Sequence, residues 1–174
     1  MKTTWKRPDP SILTPYQKSY VDLVPNGSLP TIMDQNGRDT VAFLKALPAE
    51  KNKYRYAPGK WSIAELVQHI IDTERIFAYR MLCIARGEHA PLPGFEENDY
   101  ARESGADQRN FSDIVDEFTA VRNATTSLLK SFSDSRLDKK GTSNGKPAYV
   151  RSLAFMVAGH EIHHINIIKE RYLK

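Results

Sequence analysis

The residues best suited to chemistry lie near the C-terminus, in the stretch His160-Glu161-Ile162-His163-His164. His160 and His164 are four residues apart, so on a helix they stand one turn apart on the same face. They belong to a seam of Leu153, Val157, His160, His164, Ile167 and Arg171, at positions where apolar side chains are the default. A pair of imidazoles buried there without a metal or hydrogen-bond partners is costly to desolvate. Two such rings can reach one metal ion. His69 lies in a second apolar helical segment, on the flank of its stripe beside Thr73 and Arg80. Metal sites in bundles are built from inward side chains on facing helices. Three neutral imidazoles also leave a coordination position open, which is the catalytic rather than the structural pattern. The alternative for each ring is a core histidine bonded to a backbone carbonyl. His163 points ~60° away from His160 on a helix and is expected outside the ligand set or at the surface, and His89 falls in a loop.

The same stretch matches H-E-x-x-H, in which Glu161 would serve as general base toward metal-activated water. No third histidine follows His164, and no strand that might bind a peptide is evident. A protease is therefore disfavoured, and Glu161 is expected to support the ligands or face solvent.

The positioning elements follow from periodicity and punctuation. Residues 1–30 hold Pro8, Pro10, Pro15, Pro25 and Pro30 and form an extended leader with one short helical turn near 16–21. A first long helix is predicted over 29–47. Trp61-Ser62, with Glu65 three residues on, is a capping box with a hydrophobic staple to Leu66. The helix it starts runs to Arg86 and stops at Gly87. Its apolar stripe is Ile63, Leu66, Ile70, Phe77, Met81 and Ile84. A loop without secondary structure is expected over 88–109. A third helix over 112–132 turns Ile114, Val115, Phe118, Val121, Leu128 and Leu129 inward, and a fourth runs from 148 to the end. Asn144-Gly145 can turn a very small hairpin. The prediction is an all-α fold, a four-helix bundle with long connections spanning 31–174 behind the leader.

Composition narrows the classes. The chain has 174 residues, with 40% hydrophobic and 26% charged, which suits one soluble domain. No apolar run approaches the roughly 20 residues of a membrane span, and the N-terminus lacks the apolar region of a signal peptide. The single cysteine, Cys83, allows no internal disulfide, so a reducing cytoplasm is the expected compartment. The net charge of +4 is scattered among acidic neighbours, without the clustered footprint that nucleic-acid binding needs.

Residues 61–80, Pro91-Leu92-Pro93-Gly94-Phe95, and Gly159 to Tyr172 together resemble the DinB-like superfamily, in particular its branch of metal-dependent hydrolases and bacillithiol transferases. The resemblance covers residues 15–174. It implies a four-helix bundle with one metal-ligating histidine on the second helix and an i, i+4 pair on the fourth, which map onto His69, His160 and His164. It also implies zinc or nickel as the metal, one divalent ion per chain, and a homodimer.

Three activities are open on this reading. The first is transfer of a small thiol to an electrophile, with the metal favouring the thiolate and Arg80 pairing with a carboxylate of the thiol. The competing role for Arg80 is a surface ion pair with Glu74 or Asp72. Trp61 and Tyr149 would line the mouth of the site or pack in the core. The second activity is hydrolysis, with Glu161 as the nearby carboxylate. The third role is non-catalytic, a metal that only staples two helices and is closed by a fourth protein ligand.

Overall fold

A computed structural model describes residues 4–174. Helix α1 (Pro15–Val21) is followed by α2 (Leu29–Lys45), α3 (Ile63–Arg86), α4 (Glu97–Glu103), α5 (Phe111–Lys130) and α6 (Asp134–Leu137). Strands β1 (Lys140–Ser143) and β2 (Lys146–Tyr149) then lead into α7 (Val150–Ile167), whose last turn widens into a π-helical segment, Ile168–Tyr172. The four long helices α2, α3, α5 and α7 form the bundle, with α3 packed on both α5 and α7.

Local signals explain the boundaries. The Ser62 side chain accepts from the Glu65 amide while the Glu65 carboxylate accepts from the Ser62 amide, so both halves of the capping box are made. Such a cap stabilises by about 1 kcal/mol. Gly87 closes α3 at φ 96°, a left-handed conformation that glycine adopts without strain. Asn144 and Gly145, both at positive φ, turn the antiparallel hairpin that pairs Ser143 with Lys146 and Lys140 with Tyr149.

Two stretches differ from the sequence expectation: the connection before the last long helix, read as a loop, holds the short α6, and the one after α3 holds elements of its own. Residues 88–109 contain α4 and a 3-10 turn, Ala106–Gln108, where no element is predicted. Helix α4 buries only Ala101, so it carries no apolar stripe to reveal it. The Glu96 carboxylate, which accepts from the Asn98 amide, starts it.

The core has two lobes. One gathers Met33, Phe77, Met81, Leu153 and Val157, and the other Leu44, Ile70, Ile114, Phe118 and Ile168. Along α3 the lobes change over between Ile71 and Phe77, and along α7 between Ala158 and Ile165. All three candidate ligands lie at or beside that changeover. Helix α7 is buried all round from Val150 to Glu161, as expected for the central rod of a bundle. Helix α1 lies against it, and Gly159 permits the contact: a Cβ there would stand 2.0 Å from the Tyr20 carbonyl oxygen.

Candidate metal centre

His69 on α3 and His160 and His164 on α7 converge. The Nε2 atoms of His69 and His160 are 3.1 Å apart, as are those of His160 and His164. One ligand atom from each falls within 4.8 Å of the other two. Nitrogens about 2.0–2.1 Å from a tetrahedral ion stand about 3.3–3.4 Å apart, so the observed spacing is close to one edge of a coordination tetrahedron. A neutral imidazole nitrogen has one in-plane lone pair. His160 Nε2 therefore cannot serve both neighbours as a hydrogen-bond acceptor, whereas a cation at the centre of the three satisfies all of them.

Electrostatics favour the same state. Burial lowers the His69 pKa to about 4 and the His164 pKa to about 2. It drives His160 well below its ordinary value, with His164 and His69 adding to the effect. The rings are therefore neutral at pH 7, the form that binds metals. Aromatic rings fix the cluster: Trp61 packs on His69 with centroids 4.7 Å apart, and Tyr20 packs on His160 at 5.4 Å. The His164 ring packs against His160, His69 and His163, and its Nδ1 is buried without a hydrogen-bond partner.

The other sequence candidates fall elsewhere. His163 sets its ring against Tyr20 and His164 and is outside the converging set. His89 is exposed in the loop after α3. Glu161 does not face the histidines; one residue along a helix turns a side chain by about 100°. Its Oε2 accepts from Arg122 Nη1 at 2.6 Å, and the same guanidinium pairs with Glu74 at 2.7 Å and donates to the Met33 carbonyl at 3.2 Å. All three charged side chains are buried. Burial alone would lower the Arg122 pKa, but Glu161 and Glu74 outweigh it and raise it. Glu161 is thus bound into an internal ion network joining α2, α3, α5 and α7 and lies outside the converging histidines.

A cavity of about 680 Å³ opens beside the cluster, with His69 and His160 in its wall. Thr73, Phe77 and Arg80 continue the wall along α3, Met156 and Leu153 along α7, and Thr14 to Gln17 close one side. Trp61 and Tyr149 are not among the lining residues; Trp61 is taken up by His69 and Tyr149 by Lys140. Arg80 lies between the rings of Phe77 and Phe95, 5.8 and 5.9 Å from their centroids, and donates to the Pro93 carbonyl at 2.6 Å. The ion pair with Glu74 or Asp72 is not made, since Glu74 serves Arg122 and Asp72 serves Arg75. Glu97 borders the cavity, and burial, reinforced by Glu96, raises its pKa.

Sequence reasoning misses Tyr20 and Arg122, and it places Thr73 beside His69 without giving it a role. Two carried a usable signal: Arg122 is in phase with Phe118, Thr125 and Leu129, and Thr73 with His69 and Phe77. A polar residue in register with an inward stripe is informative.

A sequence model of the DinB superfamily matches residues 32–168. The chain belongs to the DinB superfamily. Solved structures agree on the fold. YfiT from Bacillus subtilis, described as a probable metal-dependent hydrolase with an unusual four-helix bundle topology, aligns with TM-score 0.68 at 15% identity, over 95% of this chain and 90% of that one. A mycothiol-dependent maleylpyruvate isomerase aligns with TM-score 0.67 at 15% identity, over 84% of this chain and 61% of that one. The DinB-like protein YjoA from Bacillus subtilis aligns with TM-score 0.59 at 19% identity, over 82% and 87%. No curated protein sequence matches this DinB superfamily chain. None of its described helices is long and apolar enough to cross a membrane.

Proposed function

We propose that this protein is a metal-dependent thiol S-transferase, with one divalent ion, zinc or nickel, held by His69, His160 and His164. The observation that carries the reading is the approach of three neutral imidazole nitrogens to one another, two of them, from His69 and His160, on rings in the wall of a large cavity. Bound there, such an ion supplies positive charge that favours the thiolate form of a small thiol. The chain does the rest. Burial keeps the three rings unprotonated. Phe77, Leu153 and Met156 give the cavity apolar walls that limit water beside the nucleophile. The sulfur attacks an electrophilic carbon. The carbon–sulfur bond forms, the leaving group departs with its electron pair, and the thiol proton passes to solvent. A bacillithiol-like thiol and a homodimer complete the proposal, as the family resemblance implies, and a chloro-aromatic serves as the test electrophile.

Hydrolysis is the second reading, favoured by Glu97, a cavity-lining carboxylate whose raised pKa suits a base. A purely structural ion is disfavoured, because among the described residues no fourth histidine, cysteine or carboxylate joins the cluster.

The deciding experiment is metal analysis by mass spectrometry, followed by assay of the loaded protein with bacillithiol and a chloro-aromatic, then with ester substrates and no thiol. Thioether formation above the metal-free control supports transfer. Ester turnover that is lost in Glu97→Gln supports hydrolysis instead.

A further inference from the structure

A second cavity, of about 190 Å³, lies between α2 and the C-terminal part of α7, and it shares no lining residue with the cavity beside the histidines. Asn36, Asp39, Thr40 and Phe43 of α2 form one wall, and Glu161 and Lys169 stand in the other. Positions 36, 39, 40 and 43 follow the three- and four-residue spacing of a single helix face. Helix α2 therefore turns a largely polar stripe toward α7 here.

Two polar atoms of this wall are buried without partners. The Glu161 side chain is 1% exposed, and its Oε1 makes no hydrogen bond, although Oε2 is held by Arg122. The Thr40 hydroxyl favours the Glu161 charge but closes no hydrogen bond on Oε1. A proton on Oε1 would not cure the lack, since it would find no acceptor. The Asn36 amide nitrogen is unpartnered too. One atom accepts and the other donates. They would satisfy each other if they touched, and they do not. Buried polar groups are normally bonded, so the pair calls for a molecule that fits between them.

Charge narrows the choice. Glu74 and Glu161 share the single guanidinium of Arg122, and among the described residues no second cation pairs with either. The buried trio keeps one negative charge, and buried charge is normally compensated. Asp39 adds a carboxylate at the rim, one oxygen of which accepts from Gln35. Lys169 sits over the Phe43 ring, 5.1 Å from its centroid, and among the described residues no carboxylate pairs with it. A bare metal ion would suit the carboxylates but not the Asn36 amide hydrogens or Lys169. Water meets the hydrogen bonds but not the excess charge.

We propose that this cavity binds a small zwitterion of the α-amino-acid class. Its ammonium group donates to Glu161 Oε1 and to Asp39, and its carboxylate accepts from Asn36 Nδ2 and from Lys169. The volume admits only a short side chain, which packs on Phe43. The site stands apart from the histidine cluster and depends on neither the metal nor the thiol reading.

Ligand-observed NMR and titration calorimetry on the full chain test it. The chain is first treated with chelator, so that no ion at the histidines can capture an amino acid. Alanine, ethylamine and propionate are compared. Alanine is expected to bind at one site per chain, about tenfold or more tightly than either fragment, the scale of one charge-assisted hydrogen bond. Asn36→Ala removes an unmet buried donor and places a good helix former, so it should fold as well as the wild type. It and the exposed Lys169→Gln are each expected to weaken alanine binding severalfold, and Glu161→Gln to abolish it. No saturable alanine binding to the wild-type chain would leave the cavity to water alone and overturn the proposal. Alanine binding that is unchanged in both Asn36→Ala and Lys169→Gln would place the amino acid elsewhere and overturn it as well, whether or not Glu161→Gln folds.

Discussion

The carbonyl oxygen of Tyr20 occupies the space a side chain on Gly159 would need, 2.0 Å from the position of its Cβ. The neighbouring residue is His160, whose ring the Tyr20 ring covers. Gly159→Ala must push α1 away from α7, since the clash is with backbone and not with a flexible side-chain tip. We expect a loss of at least about 1–3 kcal/mol, as for overpacked cores, together with weaker metal retention. Chemical denaturation and metal analysis of the purified variant measure both. An unchanged midpoint would show that α1 is not seated as described.

Arg122 neutralises two buried carboxylates at once. Arg122→Met leaves Glu74 and Glu161 uncompensated, a loss of about 3–5 kcal/mol for a buried ion pair broken on one side. Replacing both carboxylates with glutamine in the same background should recover much of it. Glu161→Gln alone is expected to lower stability while turnover per bound metal stays within about twofold. A large fall in metal-normalised turnover would return Glu161 to the mechanism.

On the proposed reading, each histidine of the cluster is needed to hold the ion. His69→Ala, His160→Ala or His164→Ala should reduce bound metal from about one ion per chain to near zero after dialysis. The parallel control is His163→Ala, whose ring lies outside the converging set, and its metal content is expected to match wild type.

Stability of the metal-free protein should fall with acid. The cluster pKa values in the folded chain lie below the ordinary value of 6.5, about 4 for His69 and about 2 for His164. As pH falls below 6.5 the unfolded chain takes up protons that the folded chain refuses. Unfolding then becomes progressively favoured down to the folded pKa values, at up to about 1.4 kcal/mol per pH unit for each ring. Urea midpoints of chelator-treated protein between about pH 7 and about pH 5 read this directly. A midpoint that stays flat across the interval is incompatible with buried neutral rings.

How much of this was legible beforehand depended on whether a residue's role was set locally. Ser62, Glu65 and Gly87 fix α3 through their own backbone, and the capping box and stop are visible in the sequence. His160 and His164 share a face by spacing alone, and His69 stands out against its apolar neighbours. Helix α4 was hidden because its only buried residue is Ala101. The ion network around Glu161 was not legible, because H-E-x-x-H describes order along the chain, whereas consecutive helical residues point to different neighbours and Arg122 lies on another helix. The part played by Tyr20 depends on a contact between residues far apart in sequence, and nothing in the Pro-rich N-terminal stretch announces it.

The unpartnered Nδ1 of His164 bears on how an ion would come and go. Ligand rings are normally locked by a hydrogen bond on the nitrogen away from the metal, and this ring has none. It is also the most accessible of the three. On the proposed three-histidine reading, its accessibility makes His164 the ring by which an ion would be released, and an acceptor engineered beside its Nδ1 should lengthen the residence time of the ion.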